Sequence, residues 1–154
     1  MADATPHHPH RAAMDTLFRE DAFAGRAGLE LADWGCGWAD VAFVPTAQHH
    51  NFMGMVHGAA VFAAGDVAFS VACNSWGRHA VALSVDVQFL AAPPAGTGLV
   101  AQARERSRTR RTGAYLIEVL AEDQLVASLH AMAHRRSVWH LGEDVWPEEW
   151  RRAY

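Results

Sequence analysis

The chain has 154 residues, a formal net charge of −4 and 13 cationic side chains, all of them arginine. Without lysine there is no Schiff-base chemistry, no pyridoxal phosphate anchor and no Walker A loop. The negative balance argues against a nucleic-acid partner, and the length suits one domain with a compact core, since 51% of the residues are hydrophobic.

Residues 1–11 hold Pro6, Pro9 and the histidines His7, His8 and His10, with almost no large apolar side chain. They are expected to form a mobile lead and no metal site, because no carboxylate or cysteine sits at ligand spacing. The domain proper is expected over 12–136. It opens with Met14, Leu17, Phe18 and Ala22 at helical spacing, which predicts an amphipathic helix from Ala12 to about Arg26. Leu29 to Leu31 should start a hairpin that turns at Asp33-Trp34-Gly35 and returns along Trp38 to Val44, where Pro45 stops the alternation.

From Gly58 to Trp76 the chain is apolar on every face except for Asp66, Ser70, Asn74 and Ser75, which predicts one long buried helix. The period then changes to two. Val81, Leu83, Val85, Val87 and Phe89 should face one way, and Ala82, Ser84, Asp86 and Gln88 the other. Three more strands are expected, from Leu99 to about Ser107, Tyr115 to Ala121 and Leu125 to His134. The order lacks a repeating βαβ pattern, which argues against a parallel doubly wound sheet. A single buried helix flanked by antiparallel strands predicts an α+β domain, a curved antiparallel sheet wrapped around one long buried helix, which is the hotdog architecture. Residues 137–154 form an aromatic tail in which Trp146, Trp150 and Tyr154 fall four apart, and so apolar a tail should dock on its own domain or a sister subunit. Cys36 and Cys73 are far apart with no CxxC spacing, so both are expected to be reduced. No segment has the length of a membrane span and the N-terminus lacks the apolar run of a secretory signal, so a cytoplasmic protein is expected.

Asp66 is the candidate for chemistry. It is the one ionisable side chain in the apolar helix, where sequestering an unpaired carboxylate costs several kcal/mol. The start of the same helix, His57-Gly58, offers free backbone N–H groups and the positive end of the helix dipole, a plausible oxyanion hole. At about 1.5 Å per residue the two lie roughly 12 Å apart, too far to address one reacting carbon. If both are catalytic, two helices must run antiparallel across a two-fold axis, and the protein is an obligate dimer.

The stretch Asn51-Phe-Met-Gly-Met-Val-His57-Gly58, followed by Asp66, Ala82 to Asp86 and Thr112 to Val119, resembles the hotdog-fold thioesterases of the phenylacetic acid degradation protein PaaI group over roughly residues 15 to 136. The resemblance implies an acyl-coenzyme A thioesterase acting on an arylacetyl or hydroxyphenylacetyl thioester, without a cofactor because coenzyme A is part of the substrate. It implies a homodimer or homotetramer with shared active sites. Asp66 matches the catalytic carboxylate, as nucleophile or general base, and Gly58 the backbone donor to the thioester oxygen. Asn51 and His57 match polar residues near the carbonyl, and Ser84 a strand hydroxyl that positions water. This chain departs from the family in reading His57-Gly58-Ala59 in place of His-Gly-Gly, and Ala91 where relatives carry a basic residue.

Phe52, Met53, Phe62, Phe69 and Trp76 are candidate acyl-pocket residues, although core packing explains each equally well. Arg104, Arg106, Arg108 and Arg110 alternate, which in a regular strand puts them on one face, with Arg111 at the turn. Such a stripe, joined by Arg135 and Arg136, suits the phosphates of coenzyme A. The competing readings are a non-catalytic acyl-coenzyme A binding protein on the same scaffold and a hotdog dehydratase relying on His57 and Asp66.

Overall fold

A computed structural model describes residues 7–94 and 96–154. The expected first helix is two helices, α1 (Arg11–Arg19) and α2 (Ala22–Arg26). The break has a local cause: Asp21 is extended and its side chain accepts from the Ala24 N–H at 2.9 Å, capping a new helix. Strands β1 (Leu29–Gly35) and β2 (Trp38–Phe43) form the expected hairpin, but the turn lies two residues later than Asp33-Trp34-Gly35. Gly37 supplies the left-handed backbone there, with φ of +79°, and Trp34 is instead fully buried at the end of β1.

Helix α3 (Gly58–Asn74) is followed by β3 (Arg78–Phe89), β4 (Leu99–Arg108), β5 (Thr112–Ala121) and β6 (Gln124–Trp139). All strand pairs are antiparallel, in the order β1-β2-β4-β5-β6-β3. The sheet presents Val41, Ala101, Ala103, Ile117, Val119 and Leu129 to Val61, Ala64, Ala68 and Ala72 of α3. Small helix residues allow a close approach, and a Cβ at Gly65 would meet Leu129 at 3.0 Å.

Helix α3 is not buried on every face. The sheet covers one side, while Ala59, Phe62, Ala63, Asp66 and Ser70 form an uncovered or half-covered stripe along the other. The alternation expected in β3 also fails, because a bulge between Ala82 and Ser84 changes the phase of the strand. Ala80 and Ala82 pair with Arg135 and Ala133 on the helix side, whereas Ser84 pairs with Met132 on the opposite side.

Residues 1–6 of the expected mobile lead lie outside the described residues. Its remainder is anchored: His8 is buried, its Nε2 lies 2.9 Å from the Ser75 carbonyl, and its ring meets Trp34, Trp146 and Trp150 edge-on. The tail folds back onto the domain. β6 runs on to Trp139, and after Pro147 comes the short helix α4 (Glu148–Ala153). Trp146 and Trp150 are buried and donate to the His140 and Trp76 carbonyls, while Tyr154 stacks on Trp76 at 4.3 Å. No helix among the described residues is long and apolar enough to cross a membrane.

Candidate active site

His57 sits at the N-cap of α3, and its Nδ1 accepts from the Ala59 N–H at 2.9 Å. An accepting Nδ1 carries no proton, so the ring hydrogen belongs on Nε2, which is left as an outward donor. Gly58 is the first helical residue, and its N–H has no carbonyl four residues back to meet within the helix. A Cβ here would lie 3.3 Å from the Phe89 ring, so glycine leaves room beside that amide. The preceding loop is organised by Asn51. Its Oδ1 accepts from the Met53 and Met55 N–H groups at 2.9 and 3.2 Å, which leaves the side-chain amide nitrogen as its remaining polar group.

Asp66 is half-buried on the open stripe of α3. Desolvation by the surrounding apolar helix pushes its carboxyl above the ordinary carboxylate range. Among the described residues no arginine or histidine forms an ion pair with it. A carboxylate in that state is a better base than a solvated one.

The other expected site residues divide into three groups. Phe52 is 98% exposed and Met53 is also exposed, both on the loop before α3, and Phe62 lies on the stripe beside Asp66. Phe69 and Trp76 belong to the core instead, Phe69 against Tyr115 and Trp76 beneath Arg108 and Tyr154. Ser84 does not join Asp66 and Gly58 within the chain. It lines a cavity of about 480 Å³ with Arg106, Leu116, His130 and Met132 on the sheet face away from α3.

The expected arginine stripe is not formed, because β4 has a bulge between Glu105 and Ser107. Arg104 stays on the outer face, paired with Asp40 at 2.6 Å, whereas Arg108 is turned to the helix side, 3.8 Å above the Trp76 ring. Arg110 and Arg111 follow the strand in the turn before β5. Arg108, Arg110 and Arg135 nevertheless meet around one cavity, and Arg111 contributes its carbonyl to the Arg135 N–H. Sequence reasoning missed Glu105, which accepts from Trp76 and Tyr115 and pairs with Arg108. A lone glutamate in an arginine run carries no sequence signal for three such partners.

The layout of a single helix on an antiparallel sheet, with a free amide at its start and a desolvated carboxylate midway along, is that of the hotdog-fold thioester hydrolases. The thioesterase superfamily profile matches residues 53–128, which include Gly58 and Asp66. Acyl-coenzyme A thioesterase PaaI of Escherichia coli is 36% identical over 120 residues, 77% of this chain and 86% of that protein. The solved structure of the E. coli PaaI protein from the phenylacetic acid degradation operon superposes with a TM-score of 0.79 at 32% identity, covering 87% of this chain and 97% of that one. A mutant of phenylacetic acid degradation protein PaaI from Thermus thermophilus superposes with a TM-score of 0.73 at 35% identity, covering 75% of this chain and 100% of that one. This chain belongs to the PaaI family of the thioesterase superfamily, and it is a thioester hydrolase.

Proposed function

We propose that the protein hydrolyses acyl-coenzyme A thioesters, with arylacetyl or hydroxyphenylacetyl groups as the preferred acyl class, in a site completed by two subunits. The observation that carries this reading is the position of Asp66 on the uncovered stripe of the helix that begins at Gly58. About 12 Å of helix separates the two, so a single chain cannot present both to one carbonyl. Beside the stripe, β3 is a sheet edge with Val81, Leu83 and Phe89 exposed, Leu83 to 59%. A 12-residue strand with unpaired backbone groups and apolar side chains favours pairing with a second copy.

In the dimer the Gly58 N–H and the helix dipole polarise the thioester carbonyl, with the His57 Nε2–H and the Asn51 amide as neighbouring donors. Asp66 of the partner subunit attacks the carbon or takes a proton from the attacking water, and the coenzyme A thiolate leaves. Phe52, Met53 and Phe62 wall the acyl group, and the methyl of Ala59 narrows the channel where relatives carry glycine. Arg108, Arg110, Arg111 and Arg135 supply the cations for the coenzyme A phosphates. A tetramer of two such dimers and a cytoplasmic location belong to the same reading. Support for the acyl class comes from the PaaI relatives, whose descriptions place them in phenylacetic acid degradation.

Mixed dimers test the shared site. Asp66→Asn and Gly58→Val should each be inactive on a panel of aryl and alkyl thioesters. Co-refolding equal amounts should restore about a quarter of wild-type activity, because half of the dimers are hybrids with one intact site each. A mixture as inactive as its components refutes the two-subunit site, and a wild type that hydrolyses no member of the panel refutes the substrate class.

A further inference from the structure

Beside the C-terminal end of α3 the fold forms an open cavity of about 540 Å³ lined by Arg78, Arg108, Arg110, Arg135, Arg151 and Arg152 together with Thr109, Ala153 and Tyr154. The length of α3 places this end about 24 Å from Gly58 of the same chain. The cations come from four separate segments: the start of β3, the end of β4 with the turn after it, the second half of β6 and α4. Three of them have carboxylate partners, Arg108 with Glu105 at 3.1 Å, Arg151 with Glu143 at 3.1 Å, and Arg152 with Glu148. Among the described residues no aspartate or glutamate pairs with Arg78, Arg110 or Arg135, and only Arg135 reaches the terminal oxygen of Tyr154, which leaves the Arg78 and Arg110 charges at this cavity without compensation.

Arg135 is only 4% exposed. Its Nη1 donates to the Thr109 carbonyl at 2.7 Å and its Nη2 to the terminal main-chain oxygen of Tyr154 at 2.6 Å, and its buried Nε donates to nothing among the described residues. Arg78 donates to the Arg136 and Arg110 carbonyls at 2.9 and 3.4 Å. Burial, followed by the fields of Arg108 and Arg78, pulls Arg135 down to about 10, so it remains a cation at neutral pH. Burying like charges together is unfavourable unless an anion joins them.

We propose that this cavity is a binding site for a phosphate-bearing anion, held by Arg135, Arg78 and Arg110 and walled by the C-terminal helix α4. Planar guanidinium forks converging from several sides match the oxygens of a phosphate or diphosphate, whose negative charges balance the two uncompensated cations and whose oxygens can accept from the unpartnered Arg135 Nε. The site rests on the proposed function only for one source of its ligand, the phosphates of coenzyme A. A free phosphate compound carries the same chemistry. Arg78, Arg135, Arg151 and Arg152 are not matched alike by the superfamily profile: Arg135 and the two α4 arginines lie beyond its last residue, 128. The α4 wall is therefore a feature of this chain outside that profile.

Calorimetric titration of the full chain with inorganic pyrophosphate and with the adenosine bisphosphate portion of coenzyme A, at low salt, tests the site. Saturable binding is expected, with Kd raised at least about tenfold in Arg135→Gln and in Arg110→Gln and unchanged in the remote surface variant Arg26→Gln. Arg110 is exposed in the connection before β5, so its variant decides the matter if Arg135→Gln fails to fold. Adenosine bisphosphate that raises KM for a thioester without changing kcat identifies the substrate's own phosphates as the ligand. Tight pyrophosphate binding with KM unchanged identifies a free phosphate compound, and supports the site equally. No binding, or binding as tight in Arg110→Gln as in the wild type, overturns the proposal.

Discussion

At the scale of single residues, Asp66 combines a stability cost with the chemical role proposed for it. Its folded-state pKa is raised by burial, so between the unfolded and folded values the native state binds more protons than the unfolded state. Stability from this group is fullest at pH below the unfolded value and declines as pH rises through the raised one. Asp66→Asn should therefore increase Tm at neutral pH while reducing kcat by about two to four orders of magnitude. The acid limb of kcat/KM should lie above the ordinary carboxylate range in the wild type. Thermal melts and a pH–rate profile check both, and an acid limb at the usual carboxylate position would remove Asp66 from the catalytic step. Composition exposed this residue in advance, since one carboxylate in an apolar helix is conspicuous. The dual position of His57 was not legible in the same way, because its Nδ1 is engaged by the Ala59 amide and only the capped helix start shows which ring nitrogen remains free.

At the scale of elements, Gly77 links α3 to β3 and receives the tail. Its φ of +91° lies in the left-handed region, and a Cβ would stand 2.2 Å from the Trp146 ring. Gly77→Ala should expel Trp146 and loosen α4, lowering stability by about 3 to 5 kcal/mol, comparable to emptying a tryptophan site. A red-shifted tryptophan fluorescence together with a lower Tm is the expected signature, and unchanged emission would show that the tail docks without this contact. Element order and type were readable from hydrophobic periodicity. Strand faces were readable only up to the bulges: each inserted residue at Ala82–Ser84 and Glu105–Ser107 reverses the alternation beyond it, and nothing in a period-two pattern reports where the partner strand loses step.

At the scale of the whole molecule, the aromatic tail and the N-terminal segment close over the end of α3 and bury histidines. Burial, with His79 as a neighbour, pulls His140 from an ordinary 6.5 down to about 4, and burial also lowers His8. Between those values the unfolded chain binds more protons than the folded one, so stability is complete above about 6.5 and is lost as pH falls toward 4. Tm should drop on acidification from pH 7 to pH 5, and His140→Gln should flatten that dependence. An equal acid slope in the variant would assign the loss to other groups.

The amino-acid sequence by itself determined the fold class, the single long helix, and the separation of Gly58 from Asp66, because helical rise converts residue spacing directly into distance. That separation already required a second subunit for any shared chemistry. Tertiary structure alone decided which arginines meet. The stripe expected along β4 is split by a bulge, and Arg78, Arg108, Arg110, Arg135, Arg151 and Arg152 converge instead from four segments. Local periodicity describes one element at a time, whereas a cavity built from strand ends and a docked tail depends on pairing register and packing between residues distant in the chain.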